Sequence, residues 1–283
     1  MTAPVASGDR AAVYERLKLA LDARLPVATA TVVRGEPLGA KLLMLPEETV
    51  GTLGSATLDA RAALDARALL RDERSETRLY PLAGGQVEVF LETFPPPPTL
   101  LIFGAVHVAQ ALTRFAKALG YDVVVVDARA TLATPERFPE ADRIVVAWPD
   151  EALAELDVRP NTAVAILTHD PKFDEPALLG VLETPARYIG AVGSRKTNLD
   201  RRQRLLEAGV PSERLARVRG PIGLDIGAET PEETAVSILA EIVAVRHGRA
   251  GGPLAEARGH IRGRVTELDG VEATVEVVAT ASS

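Results

Sequence analysis

The sequence predicts an α/β protein in which a doubly wound parallel-sheet domain follows a smaller α+β domain. Between residues 99 and 250, short β-branched runs alternate with amphipathic helical stretches, as they do where right-handed crossovers join parallel strands. Four consecutive prolines, Pro95 to Pro98, precede this region; they cannot donate backbone hydrogen bonds and favour a stiff polyproline segment. We therefore predict domains at 1–93 and 99–250, joined by a linker at 94–98.

Length and composition agree with two globular domains. The chain has 283 residues, of which 47 % are hydrophobic and 25 % are charged, an ordinary globular composition. It contains no cysteine, which excludes disulfides, thiolate nucleophiles and cysteine-held metals. A net charge of −7 disfavours nonspecific nucleic-acid binding, and no apolar run approaches the roughly 18 residues of a membrane span. The first residues lack a secretory-signal pattern, so we expect a cytoplasmic protein.

The residues before the linker predict two helices and a small sheet. Helical patterns cover 11–23 and 55–71. Strand patterns cover 27–33, 41–45, 77–80 and 86–92, and the last two are expected to pair around Gly84 and Gly85. This half shows no metal-site or catalytic-triad spacing.

The residues after the linker predict strands and helices in strict alternation. The strand runs are 100–103, 123–126, 144–147, 164–167 and 188–192, with Val218 marking a short sixth. The helical stretches between them are 108–119, 151–155, 175–182 and 199–208. A final helix starts at a capping box formed by Thr230 and Glu233, with Pro231 at its first position, and stops at Gly248. The tail comprises residues 251–283. Within it, 261–278 alternate around Asp269 and Gly270, which predicts a β-hairpin.

The residues that follow each strand are the candidate site, because ligands of open α/β sheets bind beyond the carboxyl ends of the strands. The first such turn, 104–109, resembles a dinucleotide-binding fingerprint in which Val106 replaces the middle glycine. Gly104 keeps the first glycine, His107 begins the next helix, and Asp127 stands where a ribose-binding carboxylate would be. A turn that merely needs small residues explains this pattern equally well.

Two later segments could bind an anion or line the same pocket. The turn 193–196 offers a glycine, a hydroxyl and two cations between a strand and a helix, which suits a phosphate; an exposed basic turn is the alternative. The glycine-rich segment 221–227 contains Gly223 and a single charge, Asp225. Glycines so close together let the backbone either pack tightly or approach a ligand. We predict that these segments and the Gly104 turn form one pocket.

Three motifs, in order, resemble those of the xanthine dehydrogenase accessory proteins, the XdhC/CoxI family. Residues 101–111 resemble the family's G-A-G-H-V-A turn, 188–196 read Y-I-G-A-V-G-S-R-K, and 221–233 read P-I-G-L-D-I-G-A-E-T-P-E-E. The resemblance spans roughly 99–248 and implies a Rossmann-like domain behind a smaller XdhC/CoxI-like one. The N-terminal half departs from the family pattern, since 35–41 lacks its arginine and 51–56 lacks two of its glycines.

The resemblance implies a protein that transiently binds molybdenum cofactor (molybdopterin) and delivers it to a xanthine-dehydrogenase-type molybdenum hydroxylase apoenzyme. Sulfuration of the cofactor with a cysteine desulfurase, and homodimerisation, are left open. A cofactor-insertion chaperone is favoured over a turnover enzyme, and we expect no catalytic residue, metal ion, nucleic-acid or membrane partner. The expected cofactor-binding residues are Gly104, His107, Asp127, Gly193, Ser194, Arg195, Lys196, Gly223 and Asp225.

Two other functions stay open on the sequence alone. A nucleotide-dependent oxidoreductase would use Gly104 and Asp127, but Val106 would keep the backbone away from a pyrophosphate, so binding of NAD or FAD is not expected. A non-catalytic interaction or regulatory protein with a relic pocket would explain the altered N-terminal motifs. A copurified ligand separates the three functions: molybdopterin, a nicotinamide or flavin nucleotide, or nothing.

Overall fold

The computed structural model of the chain describes residues 7–82 and 85–257 and contains two sheets of different kinds. The first is five-stranded and antiparallel, and the second is six-stranded and parallel. The predicted fold class is therefore confirmed. The predicted hairpin around Asp269 and Gly270 lies outside the described residues.

The antiparallel sheet has the strand order β3-β2-β1-β5-β4 and a helix on each face. Its elements are α1 Ser7–Asp22, β1 Val27–Arg34, β2 Lys41–Met44, β3 Thr49–Thr52, α2 Ala56–Arg71, β4 Glu76–Leu82 and β5 Gly85–Phe94. Because side chains alternate along a strand, Ala28 and Ala30 pack with α2, whereas Val27 packs with α1. The sequence did not predict β3, in which Val50 is the one large apolar residue.

The parallel sheet alternates with helices as the sequence predicts. Its elements are β6 Thr99–Phe103, α3 His107–Ala118, β7 Asp122–Val126, β8 Arg143–Val145, α4 Pro149–Glu155, β9 Thr162–Ile166, α5 Pro171–Leu182, β10 Tyr188–Ala191, α6 Arg195–Glu207, α7 Ser212–Leu215, β11 Val218–Arg219 and α8 Pro231–Arg246. A 3₁₀ turn, Leu254–Glu256, follows; neither it nor α7 was predicted. Helices α5 and α6 start four residues before their predicted starts, because Asp170 and Ser194 cap their N-termini.

The strand order β11-β10-β9-β6-β7-β8 places the topological switch point between β6 and β9. Leu100 and Ile102 of β6 pack towards α3 and α8, whereas Leu101 and Phe103 pack towards α4, α5 and α6. The sheet is thus covered on both faces, in the arrangement of a doubly wound Rossmann domain. Among the described helices, none has the length and apolar character needed to cross a bilayer.

The proline segment between the two sheets is held by hydrogen bonds to the parallel-sheet side. The Asn161 side-chain amide donates to the carbonyls of Pro96 and Pro97, at 3.4 and 3.1 Å. The Asp122 amide donates to the Pro98 carbonyl at 2.9 Å. These bonds satisfy the proline carbonyls, the only backbone hydrogen-bonding groups that prolines have. The boundaries of the two domains stay a prediction.

Glu73, just after α2, connects the two sheets. Its side chain is only 9 % exposed and forms ion pairs with Arg187 at 3.1 Å and Arg246 at 2.6 Å. Arg187 also donates to the Arg71 carbonyl at 3.0 Å. These contacts between the two sheets lie at the amino end of the parallel strands, so they do not cover the carboxyl edge of the sheet.

Candidate functional site

The residues predicted for the site lie at the carboxyl edge of the parallel sheet, in the turns after β6, β7, β10 and β11. Backbone hydrogen bonds continue past the strand ends and join neighbouring turns. The Leu167 amide donates to the Phe103 carbonyl at 2.8 Å, and the Val192 amide donates to the Ile166 carbonyl at 2.9 Å. The Ile222 amide donates to the Ala191 carbonyl at 3.1 Å. The edge is therefore one connected surface across the switch point.

Gly104 fixes the turn after β6 against the turn after β9. Its φ is +108°, and a β-carbon there would lie 2.5 Å from Cγ2 of Thr168, closer than van der Waals contact allows. Its amide donates to the Val126 carbonyl at 2.8 Å. Only glycine satisfies both the backbone angle and the available space.

The Asp127 carboxylate is occupied by protein groups. It is 1 % exposed, accepts the Ala105 amide at 2.8 Å, and accepts Nε and Nη2 of Arg129 at 2.9 and 2.7 Å. Burial by itself would raise the pKa of Asp127, but these hydrogen bonds and the Arg129 charge outweigh burial and lower the pKa. The carboxylate thus anchors the turns after β6 and β7. His107, by contrast, is exposed at the start of α3.

The turn 193–196 caps the N-terminus of α6. Ser194 Oγ accepts the Thr197 amide at 3.1 Å, and Gly193 has a φ of +123° that brings it against Thr197. Arg195 and Lys196 are exposed, and within the described residues no hydrogen bond or ion pair occupies either side chain. Two free cations at a helix N-terminus favour an anionic ligand.

A buried ion pair that the sequence analysis missed lies beneath this turn. Asp174 of α5 and Arg201 of α6 have side chains only 2 % and 4 % exposed, and Arg201 Nη2 donates to Asp174 Oδ2 at 2.8 Å. The Thr168 hydroxyl donates to the other carboxylate oxygen. Burial raises the pKa of Asp174, although Thr168 and Arg201 oppose the shift. The spacing of α5 could have predicted this burial. Asp174 lies three residues before Ala177 and four before Leu178, so it falls on the apolar face of the helix.

Arg201 connects this pair to the cation turn. Its Nη1 donates to the Val192 carbonyl at 3.1 Å and to Asn198 Oδ1 at 2.7 Å. Asn198 in turn donates to the carbonyls of Gly193 and Ser194, at 3.0 and 3.1 Å. The position of the turn is thus fixed from inside the protein by a charged network that reaches the end of β9.

A third buried carboxylate fixes the glycine-rich segment after β11. Glu241 of α8 accepts the Tyr188 hydroxyl at 2.6 Å and the Gly223 amide at 2.8 Å. Burial, followed by the hydrogen bond to Glu241, raises the pKa of Tyr188. Gly223 has a φ of +101°, and a β-carbon there would lie 2.4 Å from Ser237 Oγ, so it packs against α8. Asp225 is exposed two residues later.

Among the described residues, Arg195, Lys196 and Asp225 at the carboxyl edge have exposed side chains with no hydrogen-bond or ion-pair partner. A depression of about 330 Å³ lies at the opposite, amino end of β10 and β11, between residues such as Ala186 and Arg217. In the described part of the chain, no three His, Asp or Glu side chains come together as a metal site. A ligand at the carboxyl edge would therefore be held on its surface by cations and backbone amides.

The sequence matches two family descriptions. Residues 100–242, half of the chain, match the XdhC Rossmann domain, and residues 20–81 match the XdhC and CoxI family. The chain belongs to the XdhC and CoxI family. The resemblance inferred from the three motifs is thereby confirmed, and the N-terminal match shows that the altered motifs at 35–41 and 51–56 lie within a family domain.

Three curated relatives match more than half of the chain. YqeB of Escherichia coli, whose function is uncharacterised, is 40 % identical over 60 % of this chain and 31 % of its own length. A probable xanthine dehydrogenase subunit of Bacillus subtilis is 35 % identical over 56 % of this chain and 46 % of its own. The molybdenum cofactor insertion chaperone PaoD of E. coli is 32 % identical over 58 % and 45 %. The matched region is thus less than half the length of each relative.

One solved structure, described as a xanthine dehydrogenase from Bacillus halodurans, also aligns with this member of the XdhC and CoxI family. It is 23 % identical, covers 87 % of this chain and 98 % of its own, and gives a TM-score of 0.49.

Proposed function

We propose that the protein binds molybdenum cofactor at the carboxyl edge of its parallel sheet and delivers it to a molybdenum hydroxylase apoenzyme. The observation that carries this proposal is the turn 193–196, one strand away from the switch point. There two exposed cations stand at a helix N-terminus without a partner among the described residues. The names of two relatives support it: one is a molybdenum cofactor insertion chaperone and the other a probable xanthine dehydrogenase subunit.

The donor groups at this edge fit the chemistry of the cofactor. Molybdenum cofactor is a pterin with a terminal phosphate, and its own dithiolene sulfurs hold the metal. Arg195 and Lys196 can donate charge-assisted hydrogen bonds to the phosphate from their side chains, and their backbone amides at the start of α6 can add to them. A chain without cysteine supplies no competing thiolate, so the cofactor's own sulfurs keep the metal.

An open, charged surface suits a ligand that must be passed on. Exposed cations bind in high dielectric and are screened by salt, so the interaction is reversible and weakens with ionic strength. The protein holds the phosphate end, and because these groups are exposed, the hydroxylase can reach the bound ligand. Because the chain has no cysteine to carry a persulfide, a sulfuration step would take its sulfur from a cysteine desulfurase. Homodimerisation and a cytoplasmic location stay predictions.

Replacing both cations, Arg195→Ala with Lys196→Ala, is expected to weaken molybdopterin binding about tenfold or more, since each lost charge-assisted hydrogen bond contributes roughly 1.5–3 kcal/mol. The free energy of unfolding should stay within about 0.5 kcal/mol, because both side chains are exposed and no residue that the structure describes pairs with them. Equilibrium dialysis of the cofactor and activation of an apo-hydroxylase measure the effect.

The matched control is Arg202→Ala with Arg204→Ala, which removes two cations of the same helix that are paired with Ser212 and Glu175. It changes net charge equally and should leave binding unaltered. Equal losses in both double variants would mean that α6 attracts the ligand only through its overall charge, and the proposed site would be wrong.

We expect NAD, NADP and FAD to bind in the millimolar range or not at all, which separates this function from a nucleotide-dependent oxidoreductase. Val106 occupies the position of the middle glycine, and Arg129 already occupies the Asp127 carboxylate. Val106→Gly should therefore gain affinity only when it is combined with Arg129→Ala. Calorimetry measures this, and micromolar affinity of the unmodified protein for NAD or FAD would favour the oxidoreductase.

A further inference from the structure

Trp148 is the only tryptophan of the chain, and it lies at the carboxyl edge outside the predicted set of site residues. It follows β8 and immediately precedes α4, whose N-terminus points to the same edge as those of α5 and α6. Its backbone is fixed, because its amide donates to the Glu151 carboxylate at 3.2 Å and its carbonyl accepts the Ala152 amide at 2.9 Å. The side chain therefore projects from a defined point on the edge.

The indole ring is supported from inside and open to solvent outside. It contacts the buried ring of Phe173, with centroids 5.9 Å apart and a tilt of 44°. Phe173 in turn packs edge-on against Phe103, the last residue of β6, at 6.4 Å. Trp148 is nevertheless 46 % exposed. Two packed phenylalanine rings thus connect an exposed indole to the strand that ends at Gly104.

We propose that Trp148 is an aromatic platform on which the planar heteroaromatic ring of the ligand stacks. This inference rests on the proposed function, because it assigns the ring end of a ligand whose anionic end is bound by Arg195 and Lys196. A half-exposed indole on a rigid support offers a flat π-face at little cost in conformational entropy. A pterin and a nucleobase present the same chemistry to such a face.

The platform and the cations are set apart by one helix. Helix α5 packs between α4 and α6, so the axes of the outer two lie about 16–20 Å apart at the usual helix spacing. The long side chains of Arg195 and Lys196 shorten the gap that a ligand must bridge. The arrangement selects an extended molecule with a planar ring at one end and an anionic group at the other.

Because Trp148 is the only tryptophan, its emission reports ring stacking directly. Free pterin and GMP are titrated into the unmodified protein, with inorganic phosphate as the control without a ring. We expect quenching by pterin, by GMP or by both, and none by phosphate. Quenching by pterin but not by GMP would identify the ligand's ring as a pterin. Quenching by GMP but not by pterin would identify it as a nucleobase. Unchanged emission with both rings would overturn the platform.

The second measurement is molybdopterin affinity by equilibrium dialysis. Trp148→Leu should weaken binding about 5- to 150-fold, as removal of a stacking partner does, and Trp148→Phe should weaken it less. The matched control is Tyr14→Leu, which removes an aromatic residue that is 64 % exposed on α1 and should change nothing. Circular dichroism checks that all variants are folded.

The outcomes separate the platform from the function on which it rests. Normal affinity in Trp148→Leu, together with weak binding in the Arg195→Ala, Lys196→Ala protein, would overturn the platform and leave the proposed function intact. If the unmodified protein does not bind molybdopterin, the proposed function fails, and quenching by pterin or GMP still decides whether Trp148 binds a ring.

Discussion

Replacing Arg201 with methionine is expected to lower the free energy of unfolding by about 3–5 kcal/mol, the usual cost of removing one partner from a buried ion pair. Arg201 is 3 % exposed and Asp174 is 1 % exposed, so the remaining carboxylate could not be solvated. Asn198 Oδ1 and the Val192 carbonyl would also lose the hydrogen bonds that Arg201 donates to them. Urea denaturation measures the loss.

The loss should depend on pH in a defined direction. Burial raises the pKa of Asp174 in the folded protein, so the folded state binds a proton more readily than the unfolded state does. Stability linked to this group is fully present below the pKa of an unfolded aspartate and is lost as the pH rises through the folded pKa. Without Arg201 the folded pKa rises further. The Arg201→Met protein should therefore be least stable near neutral pH and recover as the pH falls, until other carboxylates are protonated.

Two variants show that the effect belongs to the buried pair. Arg204→Met removes an arginine of the same helix whose ion pair with Glu175 is exposed, and it should cost less than about 1 kcal/mol. Asp174→Asn combined with Arg201→Met removes both charges and keeps an acceptor for Thr168, so it should be more stable than Arg201→Met alone. A double variant less stable than the single one would contradict this account.

Arg201→Met should also weaken ligand binding, although Arg201 does not contact the ligand itself. Arg201 is buried, so it acts on the cation turn through Asn198, which holds the carbonyls of Gly193 and Ser194. We expect the folded Arg201→Met protein to bind molybdopterin more weakly while Arg204→Met binds normally. Dialysis at a temperature where both variants are folded makes the comparison.

Gly104→Ala is expected to cost about 2–5 kcal/mol, from backbone strain and overpacking together. The φ of +108° is unfavourable for alanine, and the new methyl group would lie 2.5 Å from Cγ2 of Thr168. Both turns at the switch point would have to shift, so ligand affinity should fall with stability. Thermal and urea unfolding measure the stability change.

A control and a rescue separate strain from crowding. Gly120 also has a positive φ, +79°, but a β-carbon there meets nothing within 4 Å, so Gly120→Ala should cost only the strain, about 1–2 kcal/mol. Thr168→Ser removes the methyl group that Gly104→Ala would strike and keeps the hydroxyl that donates to Asp174. Adding Thr168→Ser to Gly104→Ala should restore part of the stability. No recovery would show that backbone strain alone causes the loss.

The regular elements of this protein could be predicted because their signals are local. The β-branched runs became β6 to β10 with end shifts of one or two residues, and the capping box at Thr230 starts α8. Predictions were poorest where the signal was short or weak, as in β3 and α7, which have four residues each. Such segments are stabilised by their neighbours rather than by their own sequence pattern.

The candidate site could be predicted only in part. The turns at Gly104 and 193–196 could be predicted because ligands of open α/β sheets bind beyond the carboxyl ends of the strands. Both turns follow strands of one parallel sheet. The sequence offered Asp127 as a ligand contact, and this stays a prediction. The structure adds that its carboxylate accepts hydrogen bonds from Arg129 and Ala105, which the sequence did not reveal. Arg129 is only two residues from Asp127, but this closeness in the sequence did not show that the two side chains would form an ion pair.

Hydrophobic periodicity, turn residues and family motifs are local features of the sequence. The alternation of strands and helices, the two kinds of sheet and the family could therefore be inferred without coordinates. Which charges are buried and which are free depends on the folded arrangement instead. Asp174 and Arg201 are 27 residues apart, and Tyr188 and Glu241 are 53 apart. Each pair forms because helices α5, α6 and α8 fold back onto the sheet, where loss of water makes an unpaired charge too costly to leave. Arg195 and Lys196 stay in solvent on the same edge, and this difference in burial makes them available to a ligand.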